Sequence, residues 1–174
     1  MEDDKKKIED YLEMIRLKTA VLLAASLKIG ALIGGAPQKD ADLIYKFGEA
    51  IGLAFQLQDD YLDVFAEGKK FGKAIGNDIL ANRKTFLLLS ALQSGEPELV
   101  NQLKSWIEKA DPSPNEKISA VKSIYEQLRI GELSLKRSDE YFNKALQSLD
   151  RVDVSPGKKT ELTAMIKVLM NREH

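Results

Sequence analysis

The sequence contains no cysteine, and its one histidine, His174, is the last residue. Disulfides, thiolate nucleophiles and zinc–thiolate sites are therefore excluded, as are histidine triads and multi-histidine metal centres. A carboxylate site for a hard cation stays open. Long apolar runs are missing too: the longest nearly uncharged stretch, 19–38, is broken by Lys28, holds Gly30, Gly34 and Gly35, and closes at Pro37. That is too interrupted for an integral membrane segment. The opening MEDDKKKIEDYLEMIR has no separate apolar core such as a secretory signal carries, so cytoplasmic residence is expected. Neither charge dominates, with 26 Lys and Arg against 27 Asp and Glu. Bulk attraction to nucleic acid or to an anionic membrane is accordingly not expected.

Alternating β-branched runs are scarce, and the helical period fills the space they leave. Tyr11, Met14, Ile15, Leu17, Val21, Leu22, Ala25, Ile29 and Ile33 recur near that period and predict a long helix over 9–34, stopped by Gly34, Gly35 and Pro37. A second helix over 40–66 is signalled by Leu43, Phe47, Ala50, Ile51, Ala54, Leu57, Tyr61 and Val64. Within it Gly48 and Gly52 cost helix propensity, about 1 kcal/mol each, but allow a neighbour to come close. AEGKKFGKAIGN, 66–77, reads as a glycine-punctuated connection, with Asn77 capping a helix over 78–93. Further helices are expected at 98–109, 114–130, 132–149 and 157–172, with Gly131 as a bend or break. Ser113, Pro114 and Glu116 have the spacing of a capping box. The fold class is all-α, an antiparallel helical bundle in a single domain spanning 1–174.

Residues 52–63, GLAFQLQDDYLD, set three acids at the end of an apolar helical run. Asp59 and Asp63 stand at i and i+4, Asp60 and Asp63 at i and i+3, so like charges crowd together at a cost of a few tenths of a kcal/mol per pair. Alone, D-D-x-x-D also fits a solvated helix face. Its flanks, Ala54, Leu57, Tyr61, Leu62 and Val64, point instead to the rim of a cavity, where unpaired anions either have raised pKa values or require cations. Magnesium suits such a group: it takes carboxylate oxygens at about 2.1 Å, keeps water and completes its shell with phosphate. A calcium loop of the EF-hand kind is excluded, since the sixth residue from Asp59 is Val64, and from Asp60 Phe65, where a glycine is needed.

Basic residues follow the acids. Lys69 and Lys70 read as a solvated charge run; Lys73 is flanked by Gly72 and Gly76, which let backbone approach a ligand; Arg83 and Lys84 open the next helix. Lys18 precedes Thr19 and Lys84 precedes Thr85, each before an apolar run. Such lysines either snorkel to water or converge on a polyanion. With magnesium, lysines of this kind would stabilise charge accumulating on a departing diphosphate.

Taken together, IRLKTAVLLAASLKIGALIGGA, GLAFQLQDDYLD and FGKAIGNDILANRKT resemble the C-terminal half of trans-isoprenyl diphosphate synthases, the polyprenyl synthetase family, of the bacterial farnesyl and geranylgeranyl diphosphate synthase type. GLAFQLQDDYLD matches the family's second aspartate-rich motif. The resemblance implies the C-terminal portion of the isoprenoid synthase fold and a magnesium-dependent prenyltransferase that joins isopentenyl diphosphate to an allylic diphosphate. It further implies that Asp59 and Asp63 hold Mg2+ with Asp60 supporting the cluster, and that Lys18, Lys73 and Lys84 contact diphosphate. Thr19 and Gln56 would be polar residues on the substrate side, Phe55 part of the isopentenyl-side wall, and Asp78 an acid behind the metal ligands; Lys18, Asp59 and Lys73 are the implied catalytic residues. A homo-oligomer is implied as well.

One departure is large. No second D-D-x-x-D occurs in the 174 residues, whereas family members carry two facing motifs. The chain is thus expected to be a piece of a longer synthase, inactive by itself because the opposite wall of the cavity is missing. The alternative is a noncatalytic helical subunit that completes a partner synthase. A terpene cyclase is disfavoured because the motif has the acid-rich form.

Overall fold

The computed structural model describes residues 7–66 and 75–170. Among these there is no strand, and the all-α class stands. The helices are α1 (Ile8–Ile15), a π-helical turn (Arg16–Ala20), α2 (Val21–Ile33), α3 (Gln38–Phe65), α4 (Asn77–Leu80), α5 (Phe86–Leu92), α6 (Pro97–Glu108), α7 (Pro114–Gln127), α8 (Ile130–Asp150) and α9 (Pro156–Met170). None of the described helices is long and apolar enough to cross a membrane.

The chain divides into two compact units. One contains residues up to Tyr11 and Asp59–Leu135; the other contains Leu12–Gln58 and Lys136–Glu173. The division falls inside α3, so the chain leaves the second unit at Gln58 and re-enters it at Lys136.

In the unit built from Leu12–Gln58 and Lys136–Glu173, a core forms around Leu43, Phe47, Ile51, Ala145, Leu149 and Ile166. The glycines of α3 act as expected. A Cβ built at Gly52 would lie 2.6 Å from Ala20 Cα, and one at Gly48 would lie 2.8 Å from Ala24 Cα. Helix backbones approach closely there, beside the Ala20 methyl and Leu27 Cδ1. Buried Ser138 of α8 donates to the Ala54 carbonyl at 3.0 Å, and buried Asp40 accepts the Asp153 N–H at 3.3 Å.

That close approach overturns the stripe predicted for the first helix. Tyr11 and Ile15 are buried, but Met14, Leu17, Leu22, Ile29 and Ile33 are exposed, Leu22 at 72% and Ile33 at 83%. Ala20 and Ala24 make the backbone contact with α3 and Leu23 and Leu27 pack on the core, while Leu22, Ile29 and Ile33 lie on the remaining, outward side of α2.

The other unit has its core at Val64, Leu87, Leu88, Leu103, Val121, Ile124 and Tyr125. Four expectations are corrected here. The helix predicted over 78–93 is two, α4 and α5, separated by a turn in which Asn82 is left-handed at φ 48°. Gly76 at φ 84°, not Asn77, caps α4. Its glycine is required twice over, since a Cβ there would also meet Ile118 side-chain atoms at 2.8 Å. The break between α7 and α8 falls at Arg129, φ 53°, two residues before Gly131. Gly131 lies inside α8, where a Cβ would come within 3.2 Å of the Tyr61 and Phe65 rings. Ser113 does cap α7 by position, yet its side chain makes no capping hydrogen bond, so the capping box is not formed.

Candidate functional site

The last two turns of α3 place the three acids in three environments. Asp59 is exposed, and its carboxylate makes no hydrogen bond or ion pair with another described residue. Asp60 is only 5% exposed and accepts a hydrogen bond from the Tyr11 hydroxyl of α1. Burial, and next the charge of Asp60, push the Tyr11 hydroxyl well above its ordinary pKa, which keeps it a donor. Asp63 is half-buried and accepts the Asp78 backbone N–H at 2.9 Å, while its own carbonyl accepts the Gly76 N–H at 2.6 Å. Burial raises the Asp63 carboxyl above its ordinary value; the Asp78 N–H and Arg83 pull the other way.

Asp78 sits at the start of α4, and its carboxylate holds the Arg83 guanidinium at 2.8 Å. The turn between α4 and α5 that carries Arg83 is fixed from α7. Buried Lys117 donates to Asn82 Oδ1 at 2.7 Å and to the Leu80 carbonyl at 3.4 Å; Asn82 Nδ2 in turn donates to the Ile107 carbonyl at 3.2 Å. Thr85 then caps α5, accepting the Leu88 N–H at 3.4 Å. Asp78, Arg83 and Thr85 share a small cavity with Val64, Leu88 and Tyr125.

In the second unit, Lys18 and Thr19 lie within the π-helical turn. Such turns interrupt the regular helix ladder and are frequent at functional positions. Lys18 is exposed and makes no ion pair among the described residues. Thr19 Oγ1 reaches Gln56 Oε1 on α3 at 3.5 Å, so these two predicted residues are brought together. Phe55 is half-buried beside Gln56 in sequence. The turn is anchored by Arg16, which pairs with Glu13 at 2.7 Å and with Glu49 of α3 at 2.9 Å. Lys84 is half-buried in the first unit; Lys73, like Lys69 and Lys70, lies outside the described residues.

Tyr11 and Arg83 are the polar residues that the sequence reading left out of the site. Tyr11 looked like one member of an apolar stripe. Arg83 reads in the sequence as one basic residue beside Lys84; its signal is the spacing five residues after Asp78, which a turn closes into a pair.

Among the described residues, no three acids or histidines converge into a ready-made metal cage. Magnesium does not need one, since it binds through one or two carboxylates together with water and substrate phosphate. Asp59, exposed and without a partner among the described residues, stands one helical turn from Asp63 and fits that donor set.

A family model described as polyprenyl synthetase matches residues 1–128. The chain belongs to the polyprenyl synthetase family. It is 30% identical over 166 residues to a short chain isoprenyl diphosphate synthase of Methanothermobacter thermautotrophicus, covering 95% of this chain and 50% of that protein. A crystal structure of a geranylgeranyl pyrophosphate synthase matches with a TM-score of 0.89 and 36% identity over 98% of this chain and 53% of that one. Another, the Corynebacterium glutamicum geranylgeranyl pyrophosphate synthase complexed with isoprenyl diphosphate and magnesium, matches with a TM-score of 0.85 and 29% identity over 97% and 48%. The chain thus spans about half the length of the curated relatives it matches. The isoprenyl synthase fold expected from the sequence is the fold found.

Proposed function

We propose that this chain forms one wall of a magnesium-dependent prenyltransferase active site, condensing isopentenyl diphosphate with an allylic diphosphate in farnesyl or geranylgeranyl diphosphate synthesis. The observation that carries the reading is the D-D-x-x-D end of α3 in a polyprenyl synthetase chain, with Asp59 unpaired and Asp63 joined through Asp78 to Arg83. In the reaction the allylic C–O bond breaks and diphosphate departs; the isopentenyl double bond then attacks the allylic carbon, and a proton is lost. Magnesium, when bound, offsets the charge gathering on the leaving oxygens. Asp59 and Asp63 would hold it, with Asp60 behind them. Lys18, Lys73 and Lys84 bind diphosphate oxygens, and Thr19, Gln56 and Phe55 line the substrate. No side chain acts as a nucleophile.

Because the chain has about half the length of its relatives, turnover by this chain alone is expected to be absent or very weak. The exposed Leu17, Leu22, Ile29 and Ile33 support a homo-oligomer, since apolar surface of this kind favours a partner. The proposed residence is the cytoplasm.

The test is binding of a nonhydrolysable allylic diphosphate with and without magnesium, for the chain and for Asp59→Ala. Magnesium-dependent binding that Asp59→Ala weakens at least ten-fold is the expected result. Equal affinity in both forms would overturn the metal-ligand role of Asp59.

A further inference from the structure

We infer that Tyr11 is a positioning residue of the acidic cluster: its hydroxyl holds Asp60 in the protein interior, so that Asp59 and Asp63, which share a helix face, are the acids that act together. The inference rests on the reading of α3 as a metal–diphosphate site.

The argument begins with the helix. Asp59 and Asp63 are one turn apart and share a face, whereas Asp60 is rotated by about 100° from Asp59. Three anions so close compete for one cation and repel one another. The structure separates them. Asp63 is tied by the Asp78 N–H, Asp60 is tied by Tyr11, and Asp59 is left without a partner among the described residues.

Burying a carboxylate as deeply as Asp60 is costly unless strong donors meet it. A hydroxyl donating to an ionised oxygen is such a donor, and it is directional. Tyr11 is itself only 5% exposed and comes from α1, 49 residues away in sequence. For packing alone, phenylalanine would fill the same space. Among the described residues the hydroxyl donates to Asp60 alone, and it keeps that carboxylate turned into the interior, off the face that Asp59 and Asp63 share. Partners that orient the ligands of a metal commonly change affinity ten- to a hundred-fold when removed.

The experiment uses the full chain, Mn2+ as a magnesium substitute and inorganic diphosphate as the probe, with free Mn2+ counted by electron paramagnetic resonance. Asp59→Ala, Tyr11→Phe, Asp60→Asn and the Tyr11→Phe/Asp60→Asn double variant are compared, each at a temperature well below its unfolding midpoint. Expected are diphosphate-dependent Mn2+ binding in the wild type, a loss of about ten-fold in Tyr11→Phe, and no further loss when Tyr11→Phe is added to Asp60→Asn. That non-additivity is what a purely structural tyrosine does not produce. If Tyr11→Phe binds as tightly as wild type while Asp59→Ala does not, the inference falls and the function proposed for α3 stands. Additive losses overturn it equally. If the wild type itself binds no Mn2+ with diphosphate, the metal–diphosphate reading fails and takes the inference with it. Should Tyr11→Phe not fold, Asp60→Asn alone decides: affinity equal to wild type overturns the role of the pair, and a ten-fold loss supports it.

Discussion

The two units of the chain are held together by different means. The one built from Leu12–Gln58 and Lys136–Glu173 relies on close apolar approach, with Gly48 and Gly52 of α3 set against Ala24 and Ala20. The one built on Asp59–Leu135 has a core too, but its α4–α5 region is fixed by nitrogen–oxygen ties: Lys117 to Asn82, Asp78 to Arg83, the Asp78 N–H to Asp63. Apolar contact fixes a distance but leaves polar groups unaimed. Where acids and bases have to point in set directions, hydrogen bonds replace it.

Substitutions in each unit put this contrast to the test. The largest effect is expected from Gly52→Val, which drives a branched side chain into the Ala20 backbone at 2.6 Å. A loss of about 3 kcal/mol or more should appear in denaturant unfolding; a near-neutral result would mean that α2 and α3 are not in tight contact. Next comes Lys117→Met in the other unit. The methionine fills similar space but leaves the half-buried Asn82 side-chain carbonyl without its charged donor, for about 2 kcal/mol. Proteolysis should then cut faster within 81–85, and an unchanged cleavage pattern would remove Lys117 as the holder of that turn.

A smaller effect concerns pH. Burial holds the Asp63 carboxyl above its ordinary value, so the folded chain binds that proton more tightly than the unfolded chain does. Its contribution favours folding at low pH and is lost as pH rises through the folded-state value. Asp63→Asn keeps an acceptor for the Asp78 N–H and no longer titrates. Its melting temperature relative to wild type should therefore be highest near neutral pH, and the gap should shrink as the medium becomes acidic; a gap that widens toward acid would reverse the assigned shift. The smallest effect has the opposite sign. Gly30 lies in α2 with nothing within 4 Å of an added Cβ. Gly30→Ala should gain about 0.5–1 kcal/mol from helix propensity alone, in contrast to Gly52→Val.

Much of the fold was legible because its signals are local. Gly34, Gly35 and Pro37 end α2, Pro97 and Pro114 start α6 and α7, and the apolar positions expected in α3 from Leu43 to Val64 are buried except for half-buried Tyr61. The aspartates, Lys18 and Thr19 stood out for the same reason. What was missed depends on partners distant in sequence. The turn after α4 needs Lys117 to hold a left-handed Asn82, and nothing near Asn82 announces it. Tyr11 gave no sign of its hydroxyl bond to Asp60, since a buried ring and a buried ring with a polar tip have the same periodicity. The outward-facing Leu22, Ile29 and Ile33 were misread because helices usually bury their larger residues, and here the small ones make the contact.

The route of the chain through its two units has a consequence for synthesis. A nascent chain emerging from the ribosome displays 12–58 long before 136–173, the segment that includes Ala145, Leu149 and Ile166 of the same core. The stretch from Asp59 to Leu135 emerges in between and already contains the whole core cluster of its own unit. Residues 12–58 therefore wait with apolar surface uncovered while later sequence is made, and it is this segment that a chaperone would be expected to hold.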